Sequence, residues 1–252
     1  MWTPLAMTIL AGLSTGVGGL IPLLVPPSDR LMAGSMGFAG GVMLTVSLAD
    51  LLPGALAVYR QSLPPLPAAL ALVSLLCMGM GLAALMGRLL PDAPARTGQP
   101  DSRAAALRGA MAAGLALVLH NLPEGLLTLF AGVADPKLGA RMALAIALHN
   151  LPEGVAVAAP LYCATGKRCR SALAALASGL AEPVGALLAF GVLYGRLSPG
   201  FLNGMLVLVA GVMCWVSTAE LIPGGLGVHR GAAVGGMAGG VCLMLAGIAC
   251  LG

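Results

Sequence analysis

Long apolar runs, separated by short polar or proline-rich segments, account for almost the whole of this 252-residue chain. Most runs reach about 20 residues or more, the length that an α-helix needs to cross a hydrocarbon core of about 30 Å. Their pattern is glycine-rich and lacks strict alternation, so helices fit it better than the strands of a barrel. The pattern predicts eight spans, at 4–25, 31–58, 66–90, 105–132, 138–162, 170–194, 200–222 and 231–251.

Composition agrees with this pattern, because 59% of the residues are hydrophobic and only 9% are charged. Such a chain cannot supply the polar surface of a water-soluble domain. We therefore predict an all-α polytopic membrane protein in which residues 1–252 form a single transmembrane domain. No Lys or Arg precedes the first apolar run, so this run is expected to be retained as a span rather than removed as a signal peptide.

The distribution of basic residues predicts an orientation. The loops after spans 1, 3, 5 and 7 hold nine of the 13 Lys and Arg residues, and the opposite side holds four. The positive-inside rule then places these odd loops in the cytoplasm and both termini outside. The longest connection, 91–104, is polar and proline-rich, which predicts a flexible cytoplasmic loop. The basic residues lack interleaved aromatic residues, so binding to nucleic acid is not expected.

Acidic residues inside the predicted spans are the first sign of function. A carboxylate at the centre of a membrane costs about 2.5–3.5 kcal/mol, and no Lys or Arg lies mid-span to pair with one. The partners must then be protons, waters or bound cations. Five of the nine acidic residues are in this position, namely Asp50, Glu124, Glu153, Glu182 and Glu220.

Two copies of the string His-Asn-Leu-Pro-Glu-Gly, at 120–125 and 149–154, surround two of these acids. On a helix, a His and a Glu four positions apart share a face, and the Asn after the His lies beside that face. Imidazole and carboxylate together favour a transition metal over Na⁺ or Ca²⁺. The sequence therefore predicts a metal site between spans 4 and 5.

Each of the five acids also has a proline within three positions. Proline lacks an amide hydrogen and crowds the carbonyl four residues earlier, so we predict an interrupted helix at each acid. Two internal repeats accompany the prolines: the duplicated six-residue string, and Asp50-Leu-Leu-Pro-Gly against Glu220-Leu-Ile-Pro-Gly. Pairing of span 4 with 5 and of span 2 with 7 predicts an inverted repeat.

These residues resemble those of the Zrt-/Irt-like (ZIP) divalent-metal transporters, and the resemblance covers essentially the whole chain. It rests on the duplicated string in spans 4 and 5, on Ala181-Glu182-Pro183 in span 6, and on the eight spans with both termini outside. The resemblance implies import of metal into the cytoplasm by an elevator, in which spans 1, 4, 5 and 6 move against spans 2, 3, 7 and 8. Members are commonly dimers, so a homodimer is a further expectation.

The resemblance also implies a binuclear metal centre, with every ligand taken from a matching position. The first ion would be held by His120, Glu124, Glu153 and Met43. The second would be held by Asn121, Asn150 and Glu182 with the bridging Glu124 and Glu153, and with His149 beside them. The route to or from this centre would be lined by Asp50 and Glu220.

Three departures from the family pattern narrow these expectations. Many members carry a His-rich loop between spans 3 and 4, which is absent here, and many have a His where this chain has Ala219. Residues for metal capture by that loop, or for a strong secondary site in span 7, are therefore missing. Some relatives have an acid at the position of Asn150.

We accordingly expect an integral protein of the inner or plasma membrane that transports Zn²⁺, with Fe²⁺, Mn²⁺ and Cd²⁺ as other suitable ions. Divalent metal ions and the bilayer are its expected partners, and no catalytic cofactor is expected. A metal-selective channel could use the same ligands without alternating access. An intramembrane metal-dependent hydrolase would need His-Glu-x-x-His, and here Asn occupies the Glu position, so an enzyme is not expected.

Overall fold

The computed structural model describes residues 2–26, 28–89, 117–118, 121–133, 135–193 and 199–251, and every regular element in these ranges is helical. The helices in chain order are α1 (Trp2–Leu20), α2 (Asp29–Val46), α3 (Leu52–Ser62), α4 (Pro65–Leu89), α5 (121–133), α6 (Pro136–Thr165), α7 (Arg168–Gly179), α8 (Ala181–Leu193), α9 (Pro199–Trp215), α10 (Ile222–Val228) and α11 (Arg230–Leu251).

Seven helical stretches in the described ranges are long and apolar enough to cross a membrane. They are Trp2–Leu24, Asp29–Ser62, Pro65–Arg88, Pro136–Cys163, Arg168–Val192, Asn203–Val228 and Arg230–Ala249. These stretches confirm the polytopic helical architecture and correspond to seven of the eight predicted spans. Predicted span 4 lies partly outside the described residues, and the predicted loop at 91–104 lies wholly outside them.

The surface and the interior have the polarity expected for a lipid solvent. Trp2, Leu10 and Val192 are 84%, 67% and 72% exposed, whereas Asn150 and Glu153 are fully buried. In a water-soluble protein the carboxylate would be outside and the large apolar side chains inside. The arrangement therefore fits a bundle whose outer face contacts hydrocarbon and whose polar groups are satisfied inside.

Local sequence explains where two of the spanning helices begin and end. Ser28 caps α2 by accepting a hydrogen bond from the Leu31 amide at 3.1 Å, and Asp135 caps α6 by accepting from the Lys137 amide at 2.8 Å. At the other end of α6, Gly166 has a φ of 69°, a left-handed conformation that glycine adopts without strain. These capping groups satisfy backbone donors and acceptors that the first and last helical turns leave unpaired.

The helices cross at glycines, where their backbones come into contact. A Cβ atom added to Gly37 of α2 would lie 2.8 Å from the carbonyl carbon of Ala233 in α11, and one added to Gly236 would lie 2.9 Å from that of Gly34. In lipid, such close approach supplies the van der Waals contact that holds helices together.

The contacts between α2 and α11 recur between α9 and α4. In each of the four contacts, a glycine of one helix faces a backbone carbonyl of the other. The contacts match residue by residue: each contact residue of α2 has a counterpart in α9 that is 170 positions later, and each contact residue of α4 has a counterpart in α11 that is 161 positions later. The four contacts are Gly41 on Met237, Gly211 on Leu76, Gly240 on Phe38 and Gly79 on Leu208.

The predicted helix interruptions occur at three of the five acids. Asp50 and Glu220 lie in π-helical turns, Ser47–Leu51 and Val216–Leu221, and α7 ends at Gly179, just before Glu182. The prediction is wrong for Glu124 and Glu153, because the helices continue through the adjacent prolines. A proline removes one backbone donor, and the tight packing around both motifs described below holds the neighbouring residues in helical conformation.

Glycine substitutions test the importance of these crossings. Gly37→Ala is expected to lower the free energy of unfolding by about 1–3 kcal/mol, because the new methyl group overpacks against α11. Gly81→Ala in α4 has open space around it and is expected to be neutral or to gain up to about 1 kcal/mol through better helix propensity. Thermal unfolding of the purified protein in detergent measures both changes. Equal stability of Gly37→Ala and the wild type would contradict the packing role.

Candidate metal site

The two motif copies lie on α5 and α6, and their described polar side chains all face the interior. Asn121 and Glu124 are on α5, and Asn150 and Glu153 are in the middle of α6. All four are buried, none with more than 2% exposure. His120 lies outside the described residues, and His149 is described only as part of the α6 backbone.

The first motif is attached to α7 and α8. The side-chain amide of Asn121 donates to the Ser178 carbonyl at 3.0 Å and to the Ser178 hydroxyl at 3.4 Å. One turn later, Gly125 lies against the backbone of Glu182, so closely that no side chain would fit there. The bonded amide and the glycine contact attach this part of α5 to the α7–α8 junction.

The second motif is attached to α1 in the same way. The side-chain amide of Asn150 donates to the Ala11 carbonyl at 2.9 Å and also to the Glu182 carboxylate. Gly154 lies against the Thr15 carbonyl, again without room for a side chain. Both asparagines therefore use their NH₂ donors on a neighbouring helix.

Glu182 connects the two motifs. Its backbone contacts Gly125 of the first motif, and its carboxylate accepts from Asn150 of the second. The structure thus brings Asn150, Glu182 and the helical turn that carries Glu124 to one junction of helices. The side chains of the two motif histidines are not among those described. Within the described part of the chain, no three His, Cys, Asp or Glu side chains lie close enough together to form a metal site.

The amide oxygens of the two motif asparagines are available as ligands. Asn121 Oδ1 and Asn150 Oδ1 are buried and have no hydrogen-bond partner within the described part of the chain. A buried acceptor left in this state costs about 1–3 kcal/mol. Because both NH₂ groups are fixed by carbonyls, both oxygens point away from those contacts. An oxygen-binding cation would remove this cost.

Met43 lies near the same helices. It is fully buried in an apolar cluster that also includes Leu127 and Phe130 of α5 and Ala156 of α6. Its thioether therefore belongs to the same apolar cluster as side chains of the two helices that carry the motifs. The coordination of a metal by Met43 stays a prediction.

Asp50 and Glu220 are separate from the buried group. Asp50 is exposed on its π-helical turn, and Glu220 is partly buried, with Oε1 3.4 Å from the Cβ position of Gly87 in α4. Neither is among the buried polar residues of the motifs. Their assignment to the metal route remains an expectation.

The repeat in spans 2 and 7 is longer than the five residues predicted from the acids. Residues 41–54 read GVMLTVSLADLLPG and residues 211–224 read GVMCWVSTAELIPG, with nine of 14 positions identical. Met213 is the counterpart of Met43, and it is also buried in the same apolar cluster. The identical Gly, Val, Met and Ser residues before the two acids were the sequence signal that could have revealed the full length of the repeat.

Replacing Asn150 by Asp tests the junction at Glu182. The new carboxylate cannot donate to Ala11 or Glu182 and places like charges together, so Asn150→Asp is expected to lower the thermal midpoint in chelator. Added Zn²⁺ should restore it, because the cation compensates both carboxylates.

Asn203→Asp is the matched control for this test. Asn203 is a buried asparagine that donates to the Ala55 carbonyl at 3.1 Å, away from the motifs. Its thermal midpoint should also fall, but Zn²⁺ should not restore it. Equal rescue of the two variants, or rescue of neither, would contradict a cation at the Asn150–Glu182 junction.

Comparison with known proteins identifies the family of this chain. The profile of the family described as ZIP Zinc transporter matches residues 92–249. The zinc transporter ZupT of Corynebacterium efficiens is 38% identical over 251 residues, covering 95% of this chain and 93% of that protein. The zinc transporter ZupT of Corynebacterium glutamicum is 40% identical and covers 92% of this chain and 93% of that protein. The zinc transporter ZupT of Escherichia coli O7:K1 is 41% identical and covers 88% of this chain and 86% of that protein. The chain therefore belongs to the ZIP zinc transporter family.

Proposed function

We propose that this protein carries Zn²⁺ across a membrane into the cytoplasm by way of ions held between α5 and α6. One observation carries the proposal: Asn150 of the second motif donates to the buried Glu182 carboxylate, and Gly125 of the first motif packs against the backbone of the same Glu182, inside an apolar bundle. Family membership supports zinc as the cargo and makes the protein a transporter rather than an enzyme. The other polar motif residues with described side chains, Asn121, Glu124 and Glu153, are buried as well.

The proposed centre holds two ions that share bridging carboxylates. The burial of Glu124 and Glu153 supports this assignment, because a cation nearby stabilises a carboxylate in a low-dielectric interior. The amide oxygens of Asn121 and Asn150 support a second position next to Glu182. The first ion would take His120, Glu124, Glu153 and Met43, and the second Asn121, Asn150, Glu182 and the two bridging carboxylates, with His149 beside them.

An inverted repeat of eight spans is part of the proposal. It pairs spans 1, 2 and 3 with 6, 7 and 8, and span 4 with span 5. Matched contacts support this pairing: Asn121 donates to Ser178 as Asn150 donates to Ala11, and α1 and α7 cross where Gly12 and Gly179 face each other's carbonyl. Such a repeat brings both termini to the same side, which the basic loops place outside.

The helix contacts also support an elevator. α1 packs on α6, α7 and α8, whereas α2 packs on α11 and α10 as well as on α6, and α4 packs on α9. An apolar cavity of about 510 Å³ lies along the boundary between these groups, with Leu151 and Pro152 of α6 on one side and Phe38 of α2 and Leu243 of α11 on the other. We propose that α1 and α5–α8 move against the other helices along this boundary.

The remaining parts of the proposal concern selectivity, route and assembly. Imidazole, carboxylate and thioether ligands also suit Fe²⁺, Mn²⁺ and Cd²⁺, and geometry must select among these ions. Asp50 and Glu220, at the two π-helical turns, are proposed to line the route. A homodimer is proposed on the family resemblance alone.

Removing either bridging charge tests the function. Glu124→Gln and Glu153→Gln are expected to reduce Zn²⁺ uptake into proteoliposomes more than about 10-fold, because loss of a ligand exceeds the 10- to 100-fold effect of outer-shell changes. Asp135→Asn, which also caps a helix, is the control and should transport like the wild type.

The same uptake assay separates a carrier from a channel. Saturable and temperature-sensitive flux is the expected result, whereas flux that rises linearly with Zn²⁺ would indicate a channel. Undiminished transport by both glutamine variants would contradict the bridging assignment, and absence of flux in the wild type would contradict the function itself.

Paired methionine substitutions test the soft ligand. Met43→Ala is expected to weaken uptake of Cd²⁺ more than uptake of Zn²⁺, since thioether sulfur prefers the softer ion. Met213→Ala removes an equally buried methionine from the same cluster and should not change the Cd²⁺ to Zn²⁺ ratio. Competition between the two ions in proteoliposomes gives that ratio. Equal ratios in the two variants would show that Met43 only packs.

A further inference from the structure

The hydroxyl of Thr15, in α1, has no hydrogen-bond partner within the described residues although the side chain is fully buried. The other buried threonines that the structure describes, Thr8, Thr45 and Thr128, donate to the carbonyl four residues earlier at 3.0, 2.8 and 3.1 Å. This local bond is the usual way in which a helix satisfies a buried hydroxyl. Thr15 is therefore an exception that calls for a cause.

The cause lies in the carbonyl that Thr15 would ordinarily use. The carbonyl of Ala11 already accepts from the Ser14 hydroxyl at 2.5 Å and from the Asn150 amide at 2.9 Å. These two side-chain donors add to the backbone bond that a helical carbonyl already accepts. A carbonyl oxygen has two lone pairs, so a further hydroxyl has no place there. The second motif thus occupies the local acceptor of Thr15 and leaves its hydroxyl for another partner.

Thr15 occupies the position on α1 that Glu182 occupies on α8. The motif asparagines donate to Ala11 and Ser178, which are 167 positions apart, and the motif glycines lie against the carbonyls of Thr15 and Glu182, again 167 apart. The sequence carries the same correspondence, because Gly-Leu-x-x-x-Val-Gly occurs at 12–18 and at 179–185.

The side chain of Thr15 lies at the crossing of α1 with α7. Its Oγ1 is 2.9 Å from the Cβ position of Gly179. Ser178, the residue before Gly179 in α7, accepts from Asn121, and Glu182 follows three residues after Gly179. The hydroxyl is therefore beside the segment that carries the polar groups of the proposed metal centre.

We propose that the Thr15 hydroxyl is a further contact of the transported divalent cation, either directly or through a water bound to it. This inference rests on the proposed function and adds a neutral oxygen from α1 to the ligands of the second ion. Since α1 supplies Thr where α8 supplies Glu, the two halves of the centre offer unequal charge. Oxygen donors suit Mn²⁺ and Zn²⁺ better than the softer Cd²⁺.

The test compares Thr15→Val with Thr15→Ser and with the control Thr8→Val in the full-length protein. Zn²⁺ affinity in detergent is measured by competition with a fluorescent chelator, and stability by thermal unfolding. Thr15→Val should raise the Kd for Zn²⁺ about 3- to 10-fold, the size expected for one polar contact. It should not lower the thermal midpoint, because it removes a hydroxyl without a partner. Thr15→Ser should restore the Kd.

Thr8→Val should show the opposite behaviour, with a lower thermal midpoint and an unchanged Kd, because its hydroxyl donates to the Pro4 carbonyl of its own helix. A Kd of Thr15→Val within twofold of the wild type, or a serine variant as weak as the valine variant, would overturn the inference. Thr15→Ala takes the place of valine if the latter does not accumulate. Failure of the wild type itself to bind or transport Zn²⁺ would instead overturn the proposed function.

Discussion

Contact between helix backbones is the constraint on which the rest of this structure depends. Lipid gives apolar side chains little reason to leave it, so helices must gain their association from close packing. Glycine provides that packing at α2 and α11, at α4 and α9, and at α1 and α7, where any side chain would collide with a carbonyl of the partner. The same closeness brings carbonyls of one helix within reach of amides on another. Packing and polar chemistry are therefore inseparable in this bundle.

The two motifs illustrate this dependence. Each asparagine reaches a carbonyl of the neighbouring helix, and each motif glycine, one turn later, permits the approach that makes the bond possible. The amide oxygens are consequently held in fixed directions before any ion arrives. Pre-organised ligands lose little freedom on binding, so a neutral carboxamide can contribute to a site in which charged groups provide most of the attraction.

Sequence alone predicted the helical membrane architecture and the position of the motif asparagines and glutamates inside it, because both rest on residue type and spacing. It failed at Pro123 and Pro152, where packing against neighbouring helices keeps the chain helical. It also missed Thr15 and Met213. Neither carries charge, and their relation to Glu182 and Met43 rests on short internal repeats whose meaning depends on which helices touch. A side chain such as Thr15, whose usual acceptor is already used by another residue, can be recognised only from coordinates.

The π-helical turns at Ser47–Leu51 and Val216–Leu221 each contain one more residue than an α-helical turn. An additional residue rotates everything after it by about 100° around the helix axis. The side of the helix that meets α11 along α2 is therefore not the side that meets α4 and α9 along α3. Each of these spans therefore packs against different neighbours before and after its π-helical turn. The turn divides one transmembrane span into two segments that face different directions, and an acidic residue lies in the turn itself.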